Sequence, residues 1–250
     1  MNDKKLVHCI TNAISMNQCA NAILALGARP IMAEHPLEVE EITATADALL
    51  LNFGNISDSK MLSMKKSIVV ANGRDIPVVI DAVGVACSRL RRQFFMELME
   101  LGRAFLIKGN YSEILAISDS DYRSTGIDAE KGIGKDEIEK ACRIVSDKFN
   151  AAVLATGQID YLSYKNKIYA IESGCSQLGE VTGTGCMLGA IEASYLAEEQ
   201  SVNAIIAGVK FFGECGIKAK TNNGIGTFMG NLLDELGANN KNVKEKEKID

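Results

Sequence analysis

The chain has 250 residues, 47% of them hydrophobic and 24% charged, and its mean hydropathy is close to zero. That is ordinary globular composition, long enough for one large domain or two small ones and for a sizeable core without disulfide or metal staples. A net charge of −5 and a pI near 5.3 exclude a general nucleic-acid binder, because phosphate backbones demand a basic face.

In chain order, "LVHCI" (6–10) reads as a strand and "NQCANAILALGA" (17–28) as a helix closing on Gly27. "ALLLNF" (48–53) is a continuous apolar run, as expected for a strand buried on both faces. "DSKMLSMKKSIVVANG" (58–73) reads as a helix, with Asp58 as N-cap and Gly73 as stop. Then come the strand "PVVID" (77–81), a helix over 89–101, the strand "AFLIK" (104–108) and a short helix starting near Asn110. A helix over 135–149 leads to "AAVLAT" (151–156), and "YLSY" and "KIYAI" follow as a hairpin. The remainder is helical, over 185–199, 202–220 and 227–236, before a charged stretch, 239–250, that is expected to fray.

Strands alternating with helices imply a three-layer α/β/α sandwich around a mainly parallel central sheet, in one domain over residues 1–238. Cysteines 9, 19, 87, 142, 175, 186 and 215 are scattered without a CxxC pair, which opposes zinc and a disulfide framework and favours a reducing cytoplasm. The start, "MNDKKLVHCITN", has no apolar run of the signal-peptide kind, and no window approaches 18 apolar residues, so no membrane partner is expected.

In open parallel sheets, ligands lie beyond the carboxyl ends of the strands. Those ends carry Thr11-Asn12, Asn52 to Asn55, Asp81 with Val83-Gly84, Lys108-Gly109-Asn110 with Glu113 a turn onward, and Thr156-Gly157. Carboxylates, a lysine, hydroxyls and glycines on one rim suit phosphoryl transfer, which needs positioning and positive charge more than covalent catalysis. Asp81 and Glu113 could hold a hydrated Mg²⁺, and Lys108 could meet a nucleotide phosphate. "GTGC" (183–186), at the mouth of an apolar helix, would aim several unpaired backbone N–H groups at an anion and would lower a thiol pKa, so Gly183, Gly185 and Cys186 could cradle a transferring phosphoryl group.

Each of these residues also has a bland reading. Asp81 could cap a turn, Glu113 could be a solvated first-turn acid, Lys108 could snorkel, and Thr184 could simply cap its helix. His8 inside a strand reads as a hydrogen-bonded core residue, and Met61, Met64, Met96 and Met99 as helix packing. Neither a Walker sequence nor the protein-kinase set occurs, and GxGxxG is missing as well.

"HCITNAISMNQCANAILALGARPIMA" (8–33) closely resembles the opening signature of the hydroxyethylthiazole kinases of thiamine salvage. "LLLNFGN", "PVVIDAVGV", "LIKGNYSEI", "ATGQID" and "VTGTGCML" follow in that family's order, so the resemblance covers roughly residues 6–236. It implies a ribokinase-like fold and ATP-dependent phosphorylation of the alcohol of 4-methyl-5-(2-hydroxyethyl)thiazole, in a homotrimer with sites between subunits. By motif it implies that Met32 and Asn12 contact the thiazole and that Gly183 approaches its hydroxyethyl arm. Lys108 and Thr156 fall on ATP-contact positions, and Asp81 and Glu113 near the magnesium region. Cys186 stands where most ribokinase-like enzymes have the aspartate that deprotonates the alcohol.

The chain departs from the family at "DAVGVACS", where Ala82, Ala86 and Ser88 replace proline, glycine and threonine. Without the fixed φ of proline this loop is expected to be looser. Lys108 stands where arginine is usual, losing the bidentate fork but keeping the charge. The alternatives are another ribokinase-like small-alcohol kinase, such as one for hydroxymethylpyrimidine, and a catalytically weak thiazole-binding relative.

Overall fold

The computed structural model describes residues 4–119, 122 and 133–246. The first half runs β1 (Leu6–Ile10), α1 (Met16–Ala25), β2 (Arg29–Ile31), α2 (Val39–Ala44), β3 (Ala48–Asn52) and α3 (Asp58–Gly73). The middle holds β4 (Val78–Asp81), α4 (Arg89–Leu101), β5 (Leu106–Asn110), α5 (Tyr111–Ser118) and α6 (Lys135–Phe149). Then come β6 (Ala152–Thr156), the hairpin β7 (Asp160–Tyr164) and β8 (Lys167–Ile171), and α7 (Ser176–Glu180), α8 (Thr184–Glu198), α9 (Val202–Lys218) and α10 (Ile225–Lys246).

The strands form one sheet in the order β2-β1-β3-β4-β5-β6-β7-β8. Pairing is parallel from β2 to β6 and antiparallel across β6, β7 and β8. The pleat sends successive side chains to opposite faces. Leu50 therefore packs toward α1, α8, α9 and α10, whereas Leu49 and Leu51 pack toward α3 to α6. Both faces are covered, so β3 is buried at every residue, as its unbroken apolar run requires. One half-core is aromatic: Phe53, Phe94 and Phe95 are fully buried, and Phe149 meets Phe95 edge-on at 5.4 Å. This is the expected three-layer sandwich.

The differences are local. β2, α2 and α7 were not expected, since each spans six residues or fewer and is too short for periodicity to show. β2 contains Pro30, which an edge strand tolerates because one side needs no ladder bond. The N-cap of α3 is Ser57, whose hydroxyl accepts from Lys60 N at 3.3 Å, and Asp58 is a first-turn acid instead. β5 begins and ends two residues later than expected, so Lys108 lies within the strand and Asn110 caps the next helix. α10 runs on to Lys246, so the expected boundary at 238 falls inside it, and 247–250 lie outside the described residues. No helix among the described residues is long and apolar enough to cross a membrane.

Candidate active site

Strand register performs the first step of assembly. It sets Asn52 beside Asp81, Asp81 beside Lys108, and Asn110 beside Thr156, and residues paired this way share a face. Lys108 Nζ donates to Asp81 Oδ1 at 3.0 Å, with the two residues 3% and 1% exposed. Asp81 Oδ2 accepts from Asn52 Nδ2 at 2.7 Å. Asn52 Oδ1 in turn accepts from Asn12 Nδ2 at 3.0 Å, and that amide also donates to Cys186 Sγ at 3.2 Å. A continuous polar line thus runs from Lys108 to Cys186 across four strand ends and the start of α8. Gly54 closes tightly over it, since a Cβ there would lie 2.9 Å from Asn12 Nδ2.

Burial works against both charges of the central pair. It pushes the Asp81 carboxyl up, opposed by Lys108 and Asn52. Burial also works to lower Lys108, but Asp81, Cys186 and Glu113 outweigh it and hold the ammonium above its ordinary pKa. Lys108 is therefore a fixed positive charge at the rim.

The N-terminus of α8 faces that charge. Gly183 is the N-cap at φ 97°, a left-handed conformation that favours glycine, and a Cβ there would come within 3.2 Å of Ser15 Cβ. No side chain caps α8, and its first turn closes only with Met187 N donating to Gly183 O. The N–H groups of Thr184, Gly185 and Cys186 precede that bond and are the unpaired donors of a helix start. A Cβ on Gly185 would sit 3.9 Å from Lys108 Nζ, so the ammonium lies beside the first turn of α8. Thr184 does not cap its helix: its hydroxyl donates back to Leu178 O and Val181 O, fastening α7 to α8. Cys186 is half-buried.

Glu113 is the third residue of α5 and forms a capping box with Asn110. Its Oε2 accepts from Asn110 N at 2.7 Å and its Oε1 from Gly84 N at 2.6 Å, tying α5 to the 82–88 loop. Burial pushes its pKa up, against these two N–H donors. The loop itself is fastened rather than loose. Arg91 Nη1 donates to Val83 O, and Arg92 donates to Val85 O through Nε and to Ala86 O through Nη2. Two first-turn arginines of α4 thus hold three carbonyls of the loop.

Beyond the strand ends opens a cavity of about 760 Å³, lined by Asn110, Thr156, Asp160, Leu178, Gly185 and Phe212 among others. Thr156 Oγ1 donates to Gly109 O at 3.3 Å on its wall. Burial pushes Asp160 up to about 6. Met32, just past β2, is half-buried against the core on the α1 side and makes no hydrogen bond with the polar line. His8 is a core residue, as expected, bonded to Thr43 Oγ1 and Ala33 O at 2.9 Å each. Because Ala33 O can only accept, Nε2 carries the proton and Nδ1 accepts from the threonine.

Among the described residues no cluster of three His, Cys, Asp or Glu could cage a metal ion. Mg²⁺ does not need one, since it keeps several waters and takes one or two carboxylates with substrate phosphates. Asp81 and Glu113 offer that donor set, each oxygen already accepting one hydrogen bond and retaining a second lone pair.

The expected residues Asn12, Asp81, Lys108, Gly183, Gly185 and Cys186 are brought together, with Thr156 on the cavity wall and Glu113 behind Asn110, which lines it. Asn52 was noticed only as one polar residue at a strand end, although it is the link between Asp81 and Asn12. Tyr111, whose hydroxyl bonds Ile159 O, was missed altogether.

The hydroxyethylthiazole kinase family model matches residues 1–241 of the chain. Hydroxyethylthiazole kinase 2 of Clostridium botulinum is 43% identical over 239 residues, spanning 93% of this chain and 90% of that one. The solved structure of a hydroxyethylthiazole kinase from Pyrococcus horikoshii superposes with a TM-score of 0.85 at 35% identity, covering 94% of this chain and 88% of that one. A ribokinase-like superfamily protein from Enterococcus faecalis shares the fold at a TM-score of 0.71 and 12% identity, covering 95% of this chain and 86% of that one. The fold is ribokinase-like, and the chain belongs to the hydroxyethylthiazole kinase family.

Proposed function

We propose that the protein transfers the γ-phosphoryl group of ATP to the hydroxyl of 4-methyl-5-(2-hydroxyethyl)thiazole, the phosphorylation step of thiamine salvage. The observation that carries this reading is the position of Lys108 Nζ, between the Asp81 carboxylate and the uncapped start of α8. A buried cation facing unpaired N–H groups is suited to the charge of a transferring phosphoryl group.

The roles divide along the rim. Lys108 and Thr156 take ATP, Lys108 at the phosphates and Thr156 on the cavity wall. Gly183 and Gly185, with the N–H groups of the first turn of α8, receive the phosphoryl oxygens. Asn12 and Met32 hold the thiazole, and Gly183 leaves room for the hydroxyethyl arm. The alcohol oxygen attacks the γ-phosphorus as the bond to the ADP oxygen breaks, and its proton passes to the thiolate form of Cys186, which becomes the thiol. Asp81 and Glu113 would hold Mg²⁺, which when bound would neutralise charge on the nucleotide phosphates.

The catalytic unit is residues 1–238, and it works as a homotrimer with sites between subunits. Ile14 and Leu37, 66% and 83% exposed, lie close in sequence to Asn12 and Met32, and apolar side chains so placed suit cover by a second copy. The seven free cysteines suit the reducing cytoplasm.

A coupled ADP-release assay with hydroxyethylthiazole and hydroxymethylpyrimidine side by side tests the reading. Release with the thiazole and none with the pyrimidine is expected. The reverse would reassign the substrate, and tight thiazole binding without turnover would make the protein a binding relative.

A further inference from the structure

The turn between β6 and β7 forms one wall of the large cavity, contributing Thr156, Gly157, Gln158 and Asp160. Two side chains fix its shape. Asp160 Oδ1 accepts from Gly157 N at 3.0 Å, and the Tyr111 hydroxyl donates to Ile159 O. The Tyr111 ring also presses on Gly157, where a Cβ would lie 2.5 Å from Cζ and 2.9 Å from the hydroxyl oxygen. The backbone of Gly157 is outside the left-handed region, so conformation alone does not demand glycine there. The ring of Tyr111 does.

Tyr111 is the first residue of α5, directly after Asn110, which lines the same cavity, and two before Glu113. The tyrosine therefore ties the helix that carries a rim carboxylate to the turn that shapes the cavity wall. Tyr161 also packs against the ring, with centroids 6.0 Å apart and the planes tilted by 44°.

We infer that Tyr111 is a positioning residue for the nucleotide, holding the turn at 157–159 in the shape that lets ATP seat against Thr156 and Gly185. The inference rests on the assignment of this cavity to ATP. It differs from plain packing in its consequence. A clamp on the wall changes nucleotide affinity and leaves the thiazole end, at Asn12 and Met32, unaffected.

Calorimetric titration of a non-hydrolysable ATP analogue into the full chain tests it. Tyr111→Phe removes one hydrogen bond and is expected to weaken the analogue roughly fivefold, with thiazole affinity unchanged. Gly157→Ala is expected to weaken it by more than about tenfold alone, but to add little once Tyr111→Ala has removed the ring. Wild-type analogue affinity in Tyr111→Phe, even with a lowered melting temperature, would overturn the inference, as would an equal effect of Gly157→Ala in both backgrounds. Should Gly157→Ala fail to fold, Tyr111→Phe still decides. A wild-type protein that binds thiazole but not the analogue would instead overturn the ATP assignment, and the inference with it.

Discussion

Lys108 reaches the rim as half of a buried pair, so its charge is fixed in place before any ligand arrives. The sequence showed the lysine and Asp81 as separate residues at two strand ends. Their pairing depends on the register between β4 and β5, which neither strand encodes locally. Removing the ammonium leaves a buried carboxylate without its cation, so Lys108→Met should lower stability by about 3 kcal/mol in urea melts, and adding Asp81→Asn should recover much of that. An additive double variant would contradict the pairing. Cys186 replaces the aspartate usual at its position, and a thiol can accept the alcohol's proton only as its thiolate. Cys186→Asp should keep or raise kcat, whereas Cys186→Ala should lower it roughly 10²-fold by loss of the proton acceptor. Wild-type rates in the alanine variant would remove the thiol from the mechanism.

α8 is the element on which the site depends, and most of its residues from Met187 to Ala197 are buried. Its apolar sequence made the helix plain, and its glycines marked where it starts. Its one buried acid was not readable. Glu192 is fully buried with no hydrogen-bond partner on either oxygen, and it fits only because position 208 on α9 lacks a Cβ. Burial pushes its carboxyl well above the ordinary carboxylate range. A group raised on folding contributes stability that is complete below its unfolded pKa and is lost as pH rises through the folded value. Glu192→Met should therefore flatten the fall in stability between about pH 5 and pH 8, and be more stable at the upper end by about 1–3 kcal/mol. Chemical denaturation across that range checks it, and an unchanged slope would contradict it. Tyr111 and Glu192 share a reason for being missed: what each does is set by a glycine distant in sequence. β2, α2 and α7 were missed for a different reason, their shortness.

At the scale of the whole molecule the architecture was the most readable property. Apolar strand runs, amphipathic helices and turn residues alternate so regularly that the parallel sheet and its functional edge follow from the sequence. The proposed assembly is not carried by that pattern, since Ile14 and Leu37 look like any exposed apolar residues. Light scattering should give a trimer mass, and Ile14→Asp with Leu37→Asp should dissociate it and raise the thiazole KM together. A monomeric wild-type protein with full activity would exclude sites shared between subunits. The placement of the phosphoryl group is tested most directly by steady-state kinetics of Lys108→Met, with its folding verified by thermal melt. The ATP KM should rise at least about tenfold while the thiazole KM stays within about twofold, because the lost charge faces phosphate and not the thiazole. An unchanged ATP KM would contradict the assignment of that rim to phosphoryl transfer.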